Sequence, residues 1–232
     1  MSAPLTPIGP DTVALVTGAS RGLGYAVASA LGAAGVQVVA MARTVGGLED
    51  LADAIEAAGG PTPTLVPLSI TDEVGMQRLC LAIHDRWGRA DLVVHCAAHA
   101  APLTPANQIA AKDFDSSVEV NLRGTQRLIA MTAPLLAASP AGTFVHVTDD
   151  HAGGAFWGSY GATRAAGDAL ARSWAAETAR IGPRVLLFQP VPMPTALRAR
   201  FYPAEEPTRL TACADEAARL LALLGAGAQA AA

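Results

Sequence analysis

The sequence predicts an α/β fold, a doubly wound parallel sheet with helices on both faces. Six short apolar runs without polar alternation are typical of strands buried on both faces. Amphipathic segments with helical periodicity separate these runs. Because strands and helices alternate, parallel strands with right-handed crossovers are expected. The predicted strands are 13–17, 36–42, 64–68, 91–97, 143–148 and 184–190, and the predicted helices are 23–34, 48–58, 73–87, 111–138, 160–181 and 212–224.

Length and charge restrict the domain organisation and the partners. With 232 residues, 51% of them hydrophobic, the chain is long enough for one sizeable core. We expect a single domain over residues 11–225, with flexible tails at 1–10 and 226–232. The formal net charge of -4 is spread along the chain and offers no basic face for nucleic acid. A small-molecule substrate is the partner that this composition favours.

The cysteines and the two termini predict a cytoplasmic protein. The three cysteines, Cys80, Cys96 and Cys213, are an odd number without CxxC spacing, so no disulfide framework is expected. The first residues lack the basic and apolar regions of a signal peptide. The alanine-rich end is too short to span a bilayer, so no membrane partner is expected.

A glycine-rich loop follows the first predicted strand directly. Glycines permit a tight turn there, and the N–H groups at the start of the next helix suit a pyrophosphate. A dinucleotide site is therefore predicted, although a purely structural turn is the alternative. Its predicted residues are Gly18, Ser20, Arg21, Gly22, Leu23 and Gly24.

The end of the second predicted strand favours NADP(H) over NAD(H). A carboxylate there would hold a ribose 2′-hydroxyl, whereas this chain has Ala42 followed by Arg43. Together with Arg21, Arg43 provides two guanidinium groups whose planar fork suits a 2′-phosphate. The alternative is that both arginines are ordinary solvated loop charges.

The spacing Gly-x-x-x-Gly-x-Gly, preceded by Thr17, resembles the cofactor loop of the short-chain dehydrogenase/reductase family. The resemblance extends from Val13 to about Leu224. It implies a Rossmann fold with strand order 3-2-1-4-5-6 and a homo-oligomer, either a dimer or a tetramer. The apolar strand that usually closes this sheet has no counterpart in the sequence, so the seventh strand is expected to be missing.

The family pattern of a tyrosine and a lysine one helical turn apart has its counterpart in Tyr160 and Arg164. Residues i and i+4 share a helix face. The resemblance implies that Tyr160 exchanges a proton with the substrate oxygen while the nicotinamide transfers a hydride. Arg164 replaces the lysine and stays charged, but its bulk leaves the ribose contacts open. Asn121 matches the family's helix asparagine, whose surroundings bind a water of the proton relay, or is a packing or kink residue.

Asp149 aligns with the family's catalytic serine and is the most serious departure. An ionised carboxylate only accepts hydrogen bonds, so it would repel a ketone oxygen and raise the pKa of a nearby tyrosine. Three alternatives would reconcile it with catalysis. Thr148 or Ser159 supplies the hydroxyl, burial keeps Asp149 protonated, or the substrate presents a donor such as an alcohol or amine.

Four further cofactor contacts are implied by the resemblance. Ser69 stands at the family's adenine-side aspartate, and Ala97 lies in a loop that departs from the family's Asn-Asn-Ala-Gly. Pro190 follows the sixth strand. The Thr195 hydroxyl is placed at the pyrophosphate or nicotinamide end, unless it is simply a helix N-cap. Residues 195–209 would form a mobile substrate lid.

No metal site is predicted. His95, Cys96 and His99 are expected near residues 149–151, but their spacing matches no zinc pattern. The sequence leads to an NADP(H)-dependent oxidoreductase that acts on a small carbonyl or alcohol, with catalytic residues Tyr160 and Arg164 supported by Asn121 and Asp149. The alternative is a catalytically weak or inactive dinucleotide-binding regulatory protein, because fold alone does not decide function.

Overall fold

The computed structural model describes residues 8–225 and contains a six-stranded parallel sheet. The strand order is β3-β2-β1-β4-β5-β6, which confirms the predicted order. All five strand pairs are parallel. The strands are β1 (Val13–Thr17), β2 (Gln37–Ala42), β3 (Thr64–Pro67), β4 (Leu92–His95), β5 (Thr143–Val147) and β6 (Arg184–Phe188).

The helices alternate with these strands as the periodicity predicts. Short 3-10 turns also occur at Ala106–Gln108 and Pro207–Arg209. The helices are α1 (Gly22–Ala33), α2 (Val45–Ala57), α3 (Glu73–Trp87), α4 (Ala111–Ser117), α5 (Gly124–Ala137), α6 (Gly158–Thr178), α7 (Ala196–Phe201) and α8 (Cys213–Gly225).

The core consists of two apolar layers, one on each face of the sheet. On β1, Ala14 and Val16 face one layer and Leu15 faces the other, because side chains alternate along a strand. Helices α1, α2 and α8 cover the first face, and α3, α5 and α6 cover the second. Leu15 is fully buried, which is worth about 1.5–3 kcal/mol for a residue of this size.

The predicted continuous helix over 111–138 is wrong in one place, because a π-helical segment, Val118–Arg123, separates α4 from α5. The carbonyl of Asn121 there accepts a hydrogen bond from Thr125 Oγ1 at 2.8 Å. Helix α6 approaches this widened turn through Gly167, whose hypothetical Cβ would lie 2.8 Å from the same carbonyl oxygen. Asn121 therefore lies in a π turn and not in a regular helix.

The predicted tails lie mostly outside the described residues, namely at 1–7 and 226–232. Within the described part, Ile8 packs against the core and the Gly9 amide donates to Thr12 Oγ1 at 3.2 Å. Over residues 8–225 the sheet has no seventh strand. No helix in the same range is long and apolar enough to cross a membrane.

The strand register brings the carboxyl ends of the central strands together. Thr17 of β1 pairs with His95 of β4, and His95 pairs with His146 of β5. The loops that follow these strands therefore open on the same edge of the sheet, where doubly wound folds bind their ligands.

Candidate active site

A cleft of about 800 Å³ lies at this carboxyl edge. All predicted cofactor-binding residues line it, and so do three of the four predicted catalytic residues. The exception is Asn121. The predicted residues on its wall are Gly18, Ser20, Arg21, Gly22, Leu23, Gly24, Arg43, Ser69, Ala97, Asp149, Tyr160, Arg164, Pro190 and Thr195.

The glycine loop leaves the N-terminus of α1 open to this cleft. Gly18 and Gly22 have φ angles of 71° and 59°, which L side chains rarely adopt. A Cβ on Gly24 would lie 2.4 Å from the carbonyl oxygen of Gly18, so only glycine fits there. Arg21, the N-cap of α1, makes no side-chain capping bond. Unpaired N–H groups at a helix start suit an anionic pyrophosphate.

Two cationic side chains stand at one end of the cleft. Arg21 and Arg43 line it and are exposed. Ser69 also lines this end, and its hydroxyl lies 2.8 Å from Thr71 Oγ1. The serine that replaces an acidic residue therefore adds no negative charge beside the arginines.

The loops after β4 and β6 form the walls of the cleft. The amide of Ala97 donates to Thr17 Oγ1 at 3.2 Å, which ties the loop after β4 to the end of β1. Thr195 caps α7 by accepting a hydrogen bond from the Arg198 amide at 3.1 Å. Its methyl carbon would lie 3.3 Å from a Cβ on Gly22, so Thr195 also packs against the glycine loop.

Tyr160 and Asp149 form a short hydrogen bond at the other end of the cleft. The Tyr160 hydroxyl donates to Asp149 Oδ2 at 2.5 Å. Burial raises the pKa of Tyr160 far above its ordinary value; the nearby Arg164 charge opposes this, and Asp149 adds to the increase. The hydroxyl proton thus points at the carboxylate, while the lone pairs of the tyrosine oxygen remain available to a donor.

Arg164 is directed toward the protein as well as the cleft. It is only 4% exposed and donates from Nη2 to the carbonyl of Val147. Its Nε lies 3.6 Å from Asp149 Oδ2, which is an ion-pair distance rather than a hydrogen bond. Arg164 therefore holds the end of β5 and partly neutralises Asp149, two contacts that its position in the sequence did not predict.

Asn121 lies behind the cleft wall. It is fully buried; its Oδ1 accepts from the His99 amide at 2.7 Å, and its Nδ2 donates to the His99 carbonyl at 3.0 Å. The same Nδ2 also donates to Thr163 Oγ1 at 3.0 Å. The side-chain amide therefore joins the loop after β4 to α6, and the relay role of Asn121 stays a prediction.

The two hydroxyls considered as substitutes for the missing serine differ in their position. Thr148 lines the cleft, whereas Ser159 is buried and is not part of the cleft wall. This position favours Thr148 over Ser159 as a hydroxyl that contacts a ligand.

Two buried histidines lie beneath the site, a feature that sequence reasoning missed. His95 contacts Thr17 Oγ1 at 2.9 Å and Thr125 Oγ1 at 3.0 Å, while His146 Nε2 lies 2.8 Å from Asp168 Oδ1. Burial lowers the pKa of both rings, that of His95 most strongly. The hydrogen-bond partners of both histidines come from elements distant in sequence, so no local sequence pattern predicts these contacts. Within residues 8–225 no group of three or more metal-ligating side chains is assembled.

An aromatic cluster, made of His151, Trp157, Phe201 and Tyr202, surrounds Tyr160. The rings of His151 and Trp157 stack with centroids 3.9 Å apart. Phe201 packs against Tyr160 at 5.0 Å, and the Tyr202 hydroxyl lies 3.4 Å from His151 Nε2. Of this cluster, only His151 and Tyr202 reach the cleft together with Tyr160.

The predicted lid segment is held by an ion pair. Arg198 donates from Nε and Nη2 to Glu205 at 2.5 and 2.7 Å, and its guanidinium lies 4.5 Å from the centroid of the Tyr202 ring. The segment contains α7 and the 3-10 turn Pro207–Arg209. Its mobility stays a prediction.

Solved structures with this fold include proteins crystallised with the expected cofactor. A short-chain dehydrogenase from Pseudomonas syringae has a TM-score of 0.89 and 31% identity, covering 96% of this chain and 92% of that one. A second structure, a short-chain dehydrogenase from Escherichia coli CFT073 complexed with NADPH, has a TM-score of 0.88 and 28% identity. There the coverage is 95% of this chain and 93% of the other.

Sequence comparisons identify the family. The chain is 31% identical to the uncharacterized oxidoreductase YciK of Escherichia coli over 221 residues, covering 93% of this chain and 86% of YciK. It is 33% identical to the glycine betaine reductase ATRR of Emericella nidulans over 188 residues, but spans only 15% of that protein's length. The family model of short chain dehydrogenases matches residues 12–206. The chain therefore belongs to the short-chain dehydrogenase family.

Proposed function

We propose that this protein is an NADP(H)-dependent oxidoreductase that interconverts a small alcohol and the corresponding carbonyl compound. The observation that carries the proposal is the position of the Tyr160 hydroxyl, in the same cleft that the uncapped N-terminus of α1 enters. A proton-transferring group and an anion-binding helix terminus in one cleft suit dinucleotide chemistry. A bound nicotinamide would supply or accept the hydride.

Different groups in the cleft would bind the pyrophosphate and the 2′-phosphate of the cofactor. The N-terminal turn of α1 would hold the pyrophosphate, and Arg21 with Arg43 would hold a 2′-phosphate. The NADPH complex of the Escherichia coli CFT073 protein supports this preference, as does an NADP complex of a Shigella flexneri short-chain dehydrogenase that is 28% identical to this chain. Phosphate recognition by two guanidinium groups is the reason to favour NADP(H) over NAD(H).

The direction of the Tyr160 hydroxyl favours an alcohol as the group bound there. Because Tyr160 donates to Asp149, its oxygen is free to accept a hydrogen bond from a substrate hydroxyl. During oxidation the substrate proton passes to Tyr160 Oη, and the original tyrosine proton passes to Asp149 Oδ2. A ketone oxygen would instead meet two acceptors. Asp149 thereby becomes compatible with catalysis through the third alternative considered above.

A second candidate function is a dinucleotide-binding regulatory protein with little turnover. It is favoured by the raised pKa of Tyr160, caused first by burial and also by Asp149, which makes the hydroxyl a poor acid. The two functions share the cofactor loop and differ only in the chemistry at Tyr160.

A substrate panel with two variants separates these functions. Purified protein is mixed with NADP⁺ and small alcohols, and separately with NADPH and the matched ketones and aldehydes. Turnover that is lost in Tyr160→Phe, with NADPH affinity unchanged, supports the enzyme. Asp149→Ser replaces an acceptor by a hydroxyl that can donate, so it is expected to lower the KM for the carbonyl compound. NADPH binding without turnover in any of the three proteins would refute the proposed function.

A further inference from the structure

We propose that His151 relays the proton between Asp149 and solvent during turnover. The inference rests on the proposed function, because it concerns the fate of the proton that Tyr160 exchanges with the substrate. The route consists of Tyr160, Asp149 and His151, with Tyr202 at its outer end.

The side chains of Arg164 and Asn121 do not themselves carry the Tyr160 proton onward. A guanidinium does not release its proton at any relevant pH. The Asn121 side-chain amide is committed to the backbone of His99 and to Thr163 Oγ1.

The proposed route leaves Tyr160 through Asp149. Asp149 Oδ2 accepts from Tyr160 at 2.5 Å, and Asp149 Oδ1 lies 3.4 Å from His151 Nδ1. This Nδ1 is buried and has no hydrogen-bond partner among the described residues. Because this nitrogen lies at an ion-pair distance from the Asp149 carboxylate, the two need only a small approach to share a proton.

The outer end of the route reaches solvent. The His151 side chain is 23% exposed, and its Nε2 lies 3.4 Å from the hydroxyl of Tyr202, which is itself 37% exposed. Imidazole exchanges protons near neutral pH and has two nitrogens, so it takes up a proton on one side and releases one on the other. The stack on Trp157 fixes the ring plane between the two partners.

The proton balance of alcohol oxidation is complete along this route. The substrate C–H bond breaks with its electron pair, which leaves as hydride to the cofactor, and the hydroxyl proton goes to Tyr160 Oη. The Tyr160 proton goes to Asp149 Oδ2. A half-turn about the soft Cβ–Cγ torsion of Asp149 then presents it to His151 Nδ1. His151 releases a proton from Nε2 to water, either directly or through the Tyr202 hydroxyl, which passes its own proton to solvent. Proton exchange with water then returns the ring to the tautomer that carries its proton on Nε2. Carbonyl reduction reverses each step.

Other ionisable groups around His151 remain constant in the experiment. Asp150 adjoins it in sequence, and Tyr160 and Tyr202 contact it within ring distances of 6.3 and 6.4 Å. Arg164 lies beyond Asp149, and Arg198 lies over Tyr202. The variants therefore change only one member of the route at a time.

The test uses His151→Asn on an alcohol from the panel above. We expect kcat to fall about 100-fold, at the lower end of the range for a lost proton-transfer group, while the alcohol KM and the NADPH affinity change less than about twofold. Added imidazole should restore part of the lost kcat. His84→Asn, at an exposed histidine of α3, is the matched control and should behave as wild type.

Three outcomes of the His151→Asn kinetics are decisive. Wild-type kcat in His151→Asn refutes the relay and leaves the proposed function standing. A loss of kcat that imidazole does not restore refutes the relay in favour of a structural role. No turnover by the wild-type protein refutes the proposed function and the relay together.

Discussion

Gly24→Ala tests whether the cleft is built on a close contact within the glycine loop. A Cβ at this position would lie 2.4 Å from the Gly18 oxygen and 2.8 Å from its carbonyl carbon, and both are backbone atoms. Ordinary contacts between such atoms are about 3.5 Å, so the loop and α1 must separate by about 1 Å. This separation would move the helix N–H groups away from a bound pyrophosphate.

The expected magnitude follows from two opposing effects. Overpacking of this kind costs about 1–3 kcal/mol. Replacing a helical glycine by alanine returns about 0.5–1 kcal/mol. We therefore expect a net loss of about 1–2 kcal/mol in unfolding free energy. A misplacement of about 1 Å typically costs up to 100-fold, so the Kd for NADPH should rise about 10- to 100-fold.

Urea unfolding and the fluorescence of titrated NADPH measure these two quantities. Gly46→Ala is the matched control, since Gly46 lies in the first turn of α2 and a Cβ there meets no atom within 4 Å. That variant should gain about 0.5–1 kcal/mol and bind NADPH as wild type does. Equal stability and equal Kd in the two variants would refute the reasoning about the loop.

Three further predictions address charge, buried titration and the π turn. Arg43→Ala should raise the Kd for NADPH about 10-fold and leave that for NADH unchanged, as a charged hydrogen bond to phosphate is lost; equal losses for both cofactors in fluorescence titrations would contradict this. His95 and His146 have folded-state pKa values lowered by burial, so stability is present above the unfolded value near 6.5 and lost as pH falls below it. The unfolding free energy from urea titrations should decrease as the pH falls below about 6.5, by up to about 1.4 kcal/mol per pH unit for each ring. This slope should be smaller in His95→Gln. Thr125→Val removes a hydroxyl bonded to His95 and should cost about 1–3 kcal/mol by the same assay, more than Thr132→Val, whose hydroxyl bonds only to the carbonyl one turn earlier.

The fold was readable from sequence because its determinants are local. Strands buried on both faces are continuous apolar runs, and each helix between them shows its own period. The glycine loop was equally readable, since the φ angle of Gly18 and the close approach at Gly24 both demand the absence of a side chain. Tyr160, Arg164 and Asp149, which position in the chain singled out, all line the cleft.

The partners of buried polar groups were not readable. His95 bonds to Thr17, 78 residues away, and to Thr125, 30 residues away. Asn121 contacts Thr163, 42 residues away. No short motif encodes such pairs, because each depends on how two elements pack in three dimensions. The π turn at Asn121 belongs to the same class, since helix α6 packs directly against it.

The sequence by itself determined the strands, the helices and the glycine loop, because backbone conformation and apolar burial follow from neighbouring residues. The strand order came from the resemblance to a known family. Only the tertiary structure decided where the Tyr160 proton points. Hydrogen-bond direction depends on distances of a few tenths of an ångström between side chains from different elements, here Tyr160 on α6 and Asp149 after β5. In that geometry the Asp149 carboxylate accepts the hydrogen bond that the Tyr160 hydroxyl donates.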